Sequence, residues 1–343
     1  MKINWLLKII EQLECNDGKG STGEDFIRRT LGGLNSPSAP LCQHNRVARP
    51  ARKGQGRPRA AWFSLKSLIE IIGISLLLSV STYAAPLYYG SLENNIGARA
   101  TALSQAFTAL GDNPETLHWN PAGLATQPDL QVSLMYATLF DEVQTRWVSV
   151  SAPVAGGVMS LGYHSLMVPN NITTDSLGNA IGNFNFTDDA LILGYGLTLD
   201  QLNLGVSAKI LRQQAIDQTM GANMDLGLIY NAKPFNIGLV FADFLNTSFG
   251  QDSFSHKIRV GIAYTNENLR ITADLHHTLN RSTDAMLGAE YLFCDEFSVL
   301  GGLNNKNYSL GARLKLLGFA IDYAFTPHDL GNIHYFQMGL QAE

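Results

Sequence analysis

Leu202-Asn203-Leu204-Gly205-Val206-Ser207-Ala208-Lys209-Ile210 is the stretch whose reading decides the fold. Apolar residues recur at every second position, so Leu202, Leu204, Val206, Ala208 and Ile210 share one face of a strand, and Asn203, Gly205, Ser207 and Lys209 share the other. The same period returns downstream. Leu269, Ile271, Ala273 and Leu275 oppose Arg270, Thr272, Asp274 and His276, and Tyr308, Leu310, Ala312 and Leu314 oppose Ser309, Gly311, Arg313 and Lys315. Phe319, Ile321, Tyr323 and Phe325 face away from Ala320, Asp322 and Ala324. A soluble sandwich also alternates, but its outward faces carry Lys, Glu and Thr. Here the polar faces are mostly Gly, Ala, Ser and Asn, small residues that suit the crowded inside of a barrel. Tyr136, Tyr195, Tyr230, Tyr264 and Tyr291 fall near strand ends, as an interfacial aromatic girdle requires.

Counting such runs between Asn, Asp, Gly and Pro punctuation gives strands near 130–138, 143–151, 157–165, 189–198, 202–212, 221–230, 235–243, 256–264, 269–277, 284–293, 296–303, 307–315, 318–326 and 333–341. The expected fold is therefore an all-β membrane protein, a roughly 14-stranded antiparallel transmembrane β-barrel over 129–343. Each strand has about ten residues, enough at the usual tilt to cross an apolar band of roughly 25 Å. Pro169 to Asp188 reads as a polar external loop, and Asn231-Ala232-Lys233-Pro234 as a short periplasmic turn.

Composition agrees with an exported barrel. Charged residues make up only 15% of the 343-residue chain, and Gly contributes 32 residues. Mean hydropathy is nonetheless only +0.01, which fits neither a helical membrane protein nor an ordinary charged soluble surface. Met1–Ala85 holds 12 of the 24 Lys and Arg and 6 of the 29 Asp and Glu, leaving Pro86–Glu343 with 12 basic against 23 acidic residues. That acidic excess argues against nucleic-acid binding. Of the cysteines Cys15, Cys42 and Cys294, only the last lies in the exported part, so no internal disulfide is expected there.

The segment 65–85 reads as a signal peptide. Lys66 supplies the basic start, Ser67 to Val80 the apolar core, and Thr82-Tyr83-Ala84-Ala85 the small residues before cleavage, which implies export to the outer membrane of a Gram-negative-type envelope. Residues 1–64 have no periodicity and are expected to be disordered or a mis-assigned upstream extension, with the reading frame opening at Leu65. Gly18-Lys19 is not a phosphate loop, because Leu13 and Gly20 stand where that motif needs Gly and Ser or Thr.

Residues 86–128 do not alternate. Ala98 to Leu110 looks like a short helix of small residues closed by Gly111-Asp112-Asn113-Pro114, and Thr116-Leu117-His118-Trp119-Asn120-Pro121-Ala122-Gly123-Leu124 follows. This block resembles the N-terminal signature of the PorV/PorQ branch of the FadL/TodX-like outer-membrane proteins, in which a GARA…GGAFTALAD…WNPAGLA pattern precedes the barrel. The resemblance runs from about Gly90 to the end and implies an N-terminal hatch folded in the lumen. Trp119, Asn120, Pro121, Ala122 and Gly123 match the hatch motif, whereas Ser104-Gln105 stands where the pattern has Gly-Gly, a departure that bears on close packing there.

Two functions follow from this resemblance. The PorV/PorQ branch implies an accessory of protein secretion or surface anchoring, with secretion-system or exported proteins as partners. The wider family implies a passive channel for hydrophobic small molecules, with a lateral gap in the wall as one route. Lysines, arginines and carboxylates in phase with the inward positions, namely Lys209, Asp225, Arg259, Arg270, Asp274, Glu290, Arg313, Lys315 and Asp322, read as a lattice of ion pairs holding the plug or as a polar path. Inward faces that are small or charged, with a polar 169–188 insertion, favour the secretion reading. No enzyme is expected and no cofactor. His276 and His277 point to opposite faces, His118, His164, His328 and His334 are scattered, and no nucleophile or metal motif occurs.

Overall fold

The computed structural model describes Leu92 and residues 95–342, apart from Asp141, Asn246, Gly250, Gln251, Asn280 and Ser282. The expected signal peptide (65–85) and the extension expected before it (1–64) lie outside the described residues. Two short helices come first, α1 (Ala98–Ala102) and α2 (Thr116–Trp119), followed by a 3-10 turn over Pro121–Thr126. The strands are β1 (Leu130–Leu139), β2 (Val143–Val154), β3 (Gly157–Thr174), β4 (Ala180–Leu199), β5 (Leu202–Gln214), β6 (Gln218–Ala232) and β7 (Phe235–Ala242). A small hairpin of β8 (Ser248–Phe249) and β9 (Asp252–Ser253) interrupts the series. It resumes with β10 (Lys257–Thr265), β11 (Leu269–Thr278), β12 (Thr283–Leu292), β13 (Phe297–Asn304), β14 (Tyr308–Leu316), β15 (Phe319–Thr326) and β16 (Ile333–Ala342).

Fourteen of these strands form one closed antiparallel barrel in which each pairs with its chain neighbours, β7 with β10 across the small hairpin. Closure runs from Leu130 opposite Ala342 to Thr138 opposite His334, so no edge remains within the wall. The number of wall strands, and the faces of β5, β11, β14 and β15, agree with the alternation read from sequence. Leu191, Leu193, Ile210, Leu239, Val260, Leu287, Leu310 and Ile321 are exposed on the outside, while Asn203, Ser207, Lys209, Asp225, Glu290 and Asp322 are buried inside. Burying one such aliphatic side chain is worth roughly 1.5–3 kcal/mol, so an outer surface tiled with them is a surface for lipid. Among the described residues no helix is long and apolar enough to cross a membrane; the strands take that part.

Both chain ends of the barrel, Leu130 and Ala342, lie at one rim. The connections there are tight, with two-residue turns at Ala155-Gly156 (φ 53° and 81°) and Leu317-Gly318 (φ 52° and 80°), the left-handed pair that matches strand twist in a hairpin. This rim is called the turn end. The opposite rim, the loop end, carries the longer connections, including 243–256 and 327–332. Tyr230, Phe235, Tyr291 and Phe319 ring the outside near the turn end, and Tyr136, Tyr163, Phe241 and Tyr308 near the loop end. These are the two aromatic girdles of a membrane barrel.

One expectation needs correction. Residues 169–188 are not a loop: β3 continues to Thr174 and β4 begins at Ala180, so only Asp175–Asn179 turns at the tip. The two strands satisfy each other's backbone groups, and β-branched and aromatic residues (Ile172, Thr173, Thr174, Phe184, Phe186) give them strand propensity. With no buried face beyond the rim there was no apolar alternation to announce them.

Candidate functional site

The segment expected to form a hatch lies against the inside of the wall, passing the strands in descending order. α1 lies on β13–β16, Phe107 and Thr108 on β7, β10 and β11, and the 3-10 turn on β3–β6, before the chain enters β1. It is a ring within the barrel, here called the inner segment. What allows it so close is glycine. A β-carbon on Gly302 would stand 2.6 Å from the backbone nitrogen of Ser104, and one on Gly196 2.8 Å from that of Ala125. Side chains on Gly205, Gly227 and Gly238 would likewise overlap Pro121 and Ala122, Asn120, and Thr108. These positions are matched across the ladder: Gly196 pairs with Gly205, Gly205 with Gly227, Gly238 with Gly261 and Gly288 with Gly302. The small inward residues are thus a groove for a polypeptide backbone.

The hatch-motif residues each have a definite place. Asn120 caps the 3-10 turn: its side-chain oxygen accepts from Ala122 N (3.0 Å), and its amide donates to Thr108 O (2.7 Å) and to Leu228 O on the wall (3.3 Å). Pro121 follows at the first position of the turn, where its missing N–H costs nothing. Ala122 is fully buried, and Gly123 lies against Thr116 and Gly111, with no room for a side chain. Trp119 donates from Nε1 to Ile96 O at 2.9 Å, and its ring lies 5.4 Å from the Arg259 guanidinium.

The ladder puts the inward charges into groups with residues that sequence reading did not select. Arg99, fully buried on α1, pairs with Glu290 at 2.7 Å and with Asp112, and Arg270 reaches Glu290 at 3.2 Å and Asp112 at 3.3 Å. A second group lies within the wall: Lys209 meets Asp225 at 2.7 Å and Asp243 at 2.6 Å, and Lys257 meets Asp243 at 3.2 Å. Asp274 accepts from the backbone N–H groups of Phe107 (2.9 Å) and Thr108 (2.8 Å), and Arg259 donates to His118 O and Trp119 O. Arg313 pairs with Asp322 at 3.2 Å. Lys315 shares their phase but stands exposed at the turn-end rim. Glu115, on the inner segment rather than on a spanning strand, accepts from Ser133 and Gln337; burial pushes its carboxyl up to about 7. Arg99, Asp112 and Glu115 escaped the sequence reading because they lie ahead of the strands, and Asp243 and Lys257 because they stand at the ends of their runs, although Lys257 shares the phase of Arg259; a lone Arg in the small-residue run of α1 was the available signal.

At Ser104-Gln105 the close packing survives without the Gly-Gly of the family pattern. Both residues take left-handed backbone, φ 51° and 72°, which costs an L-residue on the order of 1–2 kcal/mol. Ser104 Oγ is also buried without a hydrogen-bond partner among the described residues. Ser104→Gly should therefore stabilise the inner segment by about 1 kcal/mol, relief of strain and of the unsatisfied hydroxyl outweighing the entropy of glycine. Slower trypsin cleavage of the inner segment in the purified protein is the expected reading, and faster cleavage contradicts it.

No family model matches the chain, and no curated protein does. Solved structures do. The Pseudomonas putida toluene transporter TodX superposes with a TM-score of 0.53 at 11% identity, covering 72% of this chain and 96% of that one. The Ralstonia pickettii toluene transporter TbuX gives 0.52 at 14%, covering 74% and 100%. A Pseudomonas aeruginosa FadL homologue gives 0.50 at 9%, covering 76% and 99%.

This is an outer-membrane β-barrel fold. At such identities the likeness concerns the fold alone. It lies with FadL- and TodX-type barrels, and the narrower PorV/PorQ resemblance rests on the sequence pattern.

Proposed function

We propose that the protein is an outer-membrane channel for small hydrophobic molecules, closed by the inner segment at rest and opened when that segment moves. The observation that carries the reading is the inner segment: a ring of chain held in the lumen by backbone contact with wall glycines and by ion pairs. The fold likeness to toluene transporters supports the substrate class. The orientation that goes with it puts the turn end in the periplasm and the loop end outside. At the loop end Phe249 and Phe254, from the segment between β7 and β10, pack with Ala190, Leu211 and Leu92, an apolar cluster at the mouth suited to receiving such molecules. The proposed route runs along the barrel axis rather than through the wall, whose ladders are continuous; the register shifts of β3 and β4 lie at Val168/Asn171 and Thr173/Thr174, beyond the partners of β2. The secretion-accessory role draws no support from the structural likenesses and stands second.

The test is uptake. Cells expressing the protein in a strain without other hydrocarbon channels should accumulate radiolabelled toluene several-fold faster than cells with the empty vector, and Phe249→Ala with Phe254→Ala should remove much of that gain. Equal uptake with and without the protein, at confirmed outer-membrane expression, sinks the proposal.

A further inference from the structure

β3 and β4 outrun both of their neighbours. β2 accompanies β3 only as far as Gln144 opposite Met167, and β5 accompanies β4 only from Thr187 opposite Gln214. Beyond those points Val168–Thr174 and Ala180–Phe186 pair with each other alone, a two-stranded ribbon standing past the rim with a free edge on each side. Free edges are templates for another strand, and proteins normally blunt them with proline, bulges or charge. The β3 edge is blunted in that way: Pro169 interrupts it, Asn170 is left-handed at φ 58°, and the register shifts between Val168 and Asn171. The β4 edge is not. From Gly182 to Phe186 it has no proline, no charge and no left-handed residue, and its one irregularity comes at Ile181, next to the tip. Asp175, in the tip turn, is the only charge between Val168 and Thr187.

We infer that the Gly182–Phe186 edge of β4 is a docking site for an extended, uncharged polypeptide segment of another protein, which adds to the sheet as a strand. The vacant place continues the line of β5, whose chain turns away at Ala215–Asp217, so the sheet already fixes the spacing and direction of a newcomer. Five residues is the usual length of a strand. Phe184 and Phe186 share a face, and Phe186 is opposite Val168, so the incoming segment would present apolar side chains at alternate positions on that face and small or amide ones beside Asn183 and Asn185. The place is one strand wide, in line with β5 and closed below by the β5–β6 hairpin, so a single extended segment fills it. The inference is independent of the channel reading.

The probe is a fluorescein-labelled heptapeptide alternating Thr and Val, with a twin N-methylated at every amide, each titrated against the detergent-purified full-length protein. The unmodified peptide should bind at least about tenfold more tightly than its twin, since only main-chain donors distinguish them, and should slow amide exchange at Gly182–Phe186. Gly182→Pro should abolish binding while heat-modifiable migration confirms an intact barrel. Equal affinity of the two peptides, no binding of either, or binding without protection at Gly182–Phe186 overturns the inference. So does dimerisation of the peptide-free protein that protects the same amides, which would assign the edge to a second copy.

Discussion

Replacing Gly205 with leucine will drive the inner segment off the wall and turn a closed barrel into a conducting one. Gly205 is directly beneath the peptide joining Pro121 to Ala122, and any β-carbon there overlaps main-chain atoms rather than the tip of a flexible side chain. Its ladder partners Gly196 and Gly227 press on the same turn, so the turn has no free space to slide into. Overpacking a tight site costs typically about 1–3 kcal/mol, and a backbone clash belongs at the top of that range, enough to shift docking by roughly a hundredfold. The wall should survive, because the new side chain enters a lumen the inner segment has left. Planar-bilayer recordings should show large, long openings where the wild type is silent, and trypsin should cut within 95–128. Gly301→Ala is the control: a β-carbon there meets nothing closer than Leu310 at 3.6 Å, so conductance should not change. A silent, protease-resistant Gly205→Leu variant contradicts the backbone-groove account.

Arg99→Met and Glu290→Leu should each release the first half of the inner segment, and the two together should be milder than the two losses combined. Arg99 is fully buried and shares Glu290 with Arg270, while Ser298 donates to the other Glu290 oxygen at 3.0 Å. Removing one partner leaves the group of Arg99, Arg270, Asp112 and Glu290 with one uncompensated charge in a desolvated site, at a cost of up to about 3–5 kcal/mol. Removing both leaves Asp112 with Arg270 at 3.3 Å and no orphaned charge between α1 and β12. The coupling in a double-mutant cycle, read from denaturation midpoints of inner-segment resistance to chymotrypsin, whose sites the substitutions leave in place, should therefore fall in the range of about 0.5–3 kcal/mol. Strict additivity would mean that the pair does not hold the segment.

Legibility in the sequence followed the range of the interactions. All fourteen wall strands, and the lipid faces of β5, β11, β14 and β15, could be read from period two, because a strand in a bilayer must alternate whatever it pairs with. The inward charges could be read for the same reason, but not their partners: Arg99 and Glu290 are 191 positions apart, and nothing local to either names the other. The 169–188 ribbon was misread because strands standing beyond the rim, without a buried face, carry no alternation. The turn at Ser104-Gln105 kept its close packing because Gly288 and Gly302, far along the chain, make room for it.

The sequence by itself determined a lipid-facing barrel, its strand number, and a non-alternating segment ahead of it, since these depend only on which side of each strand avoids water. Tertiary structure alone decided which wall strands this segment passes, that the glycines are seats for its backbone, and that β4 ends in an unguarded edge. Those are properties of atoms brought together by closure of the ring, and closure has no local signature.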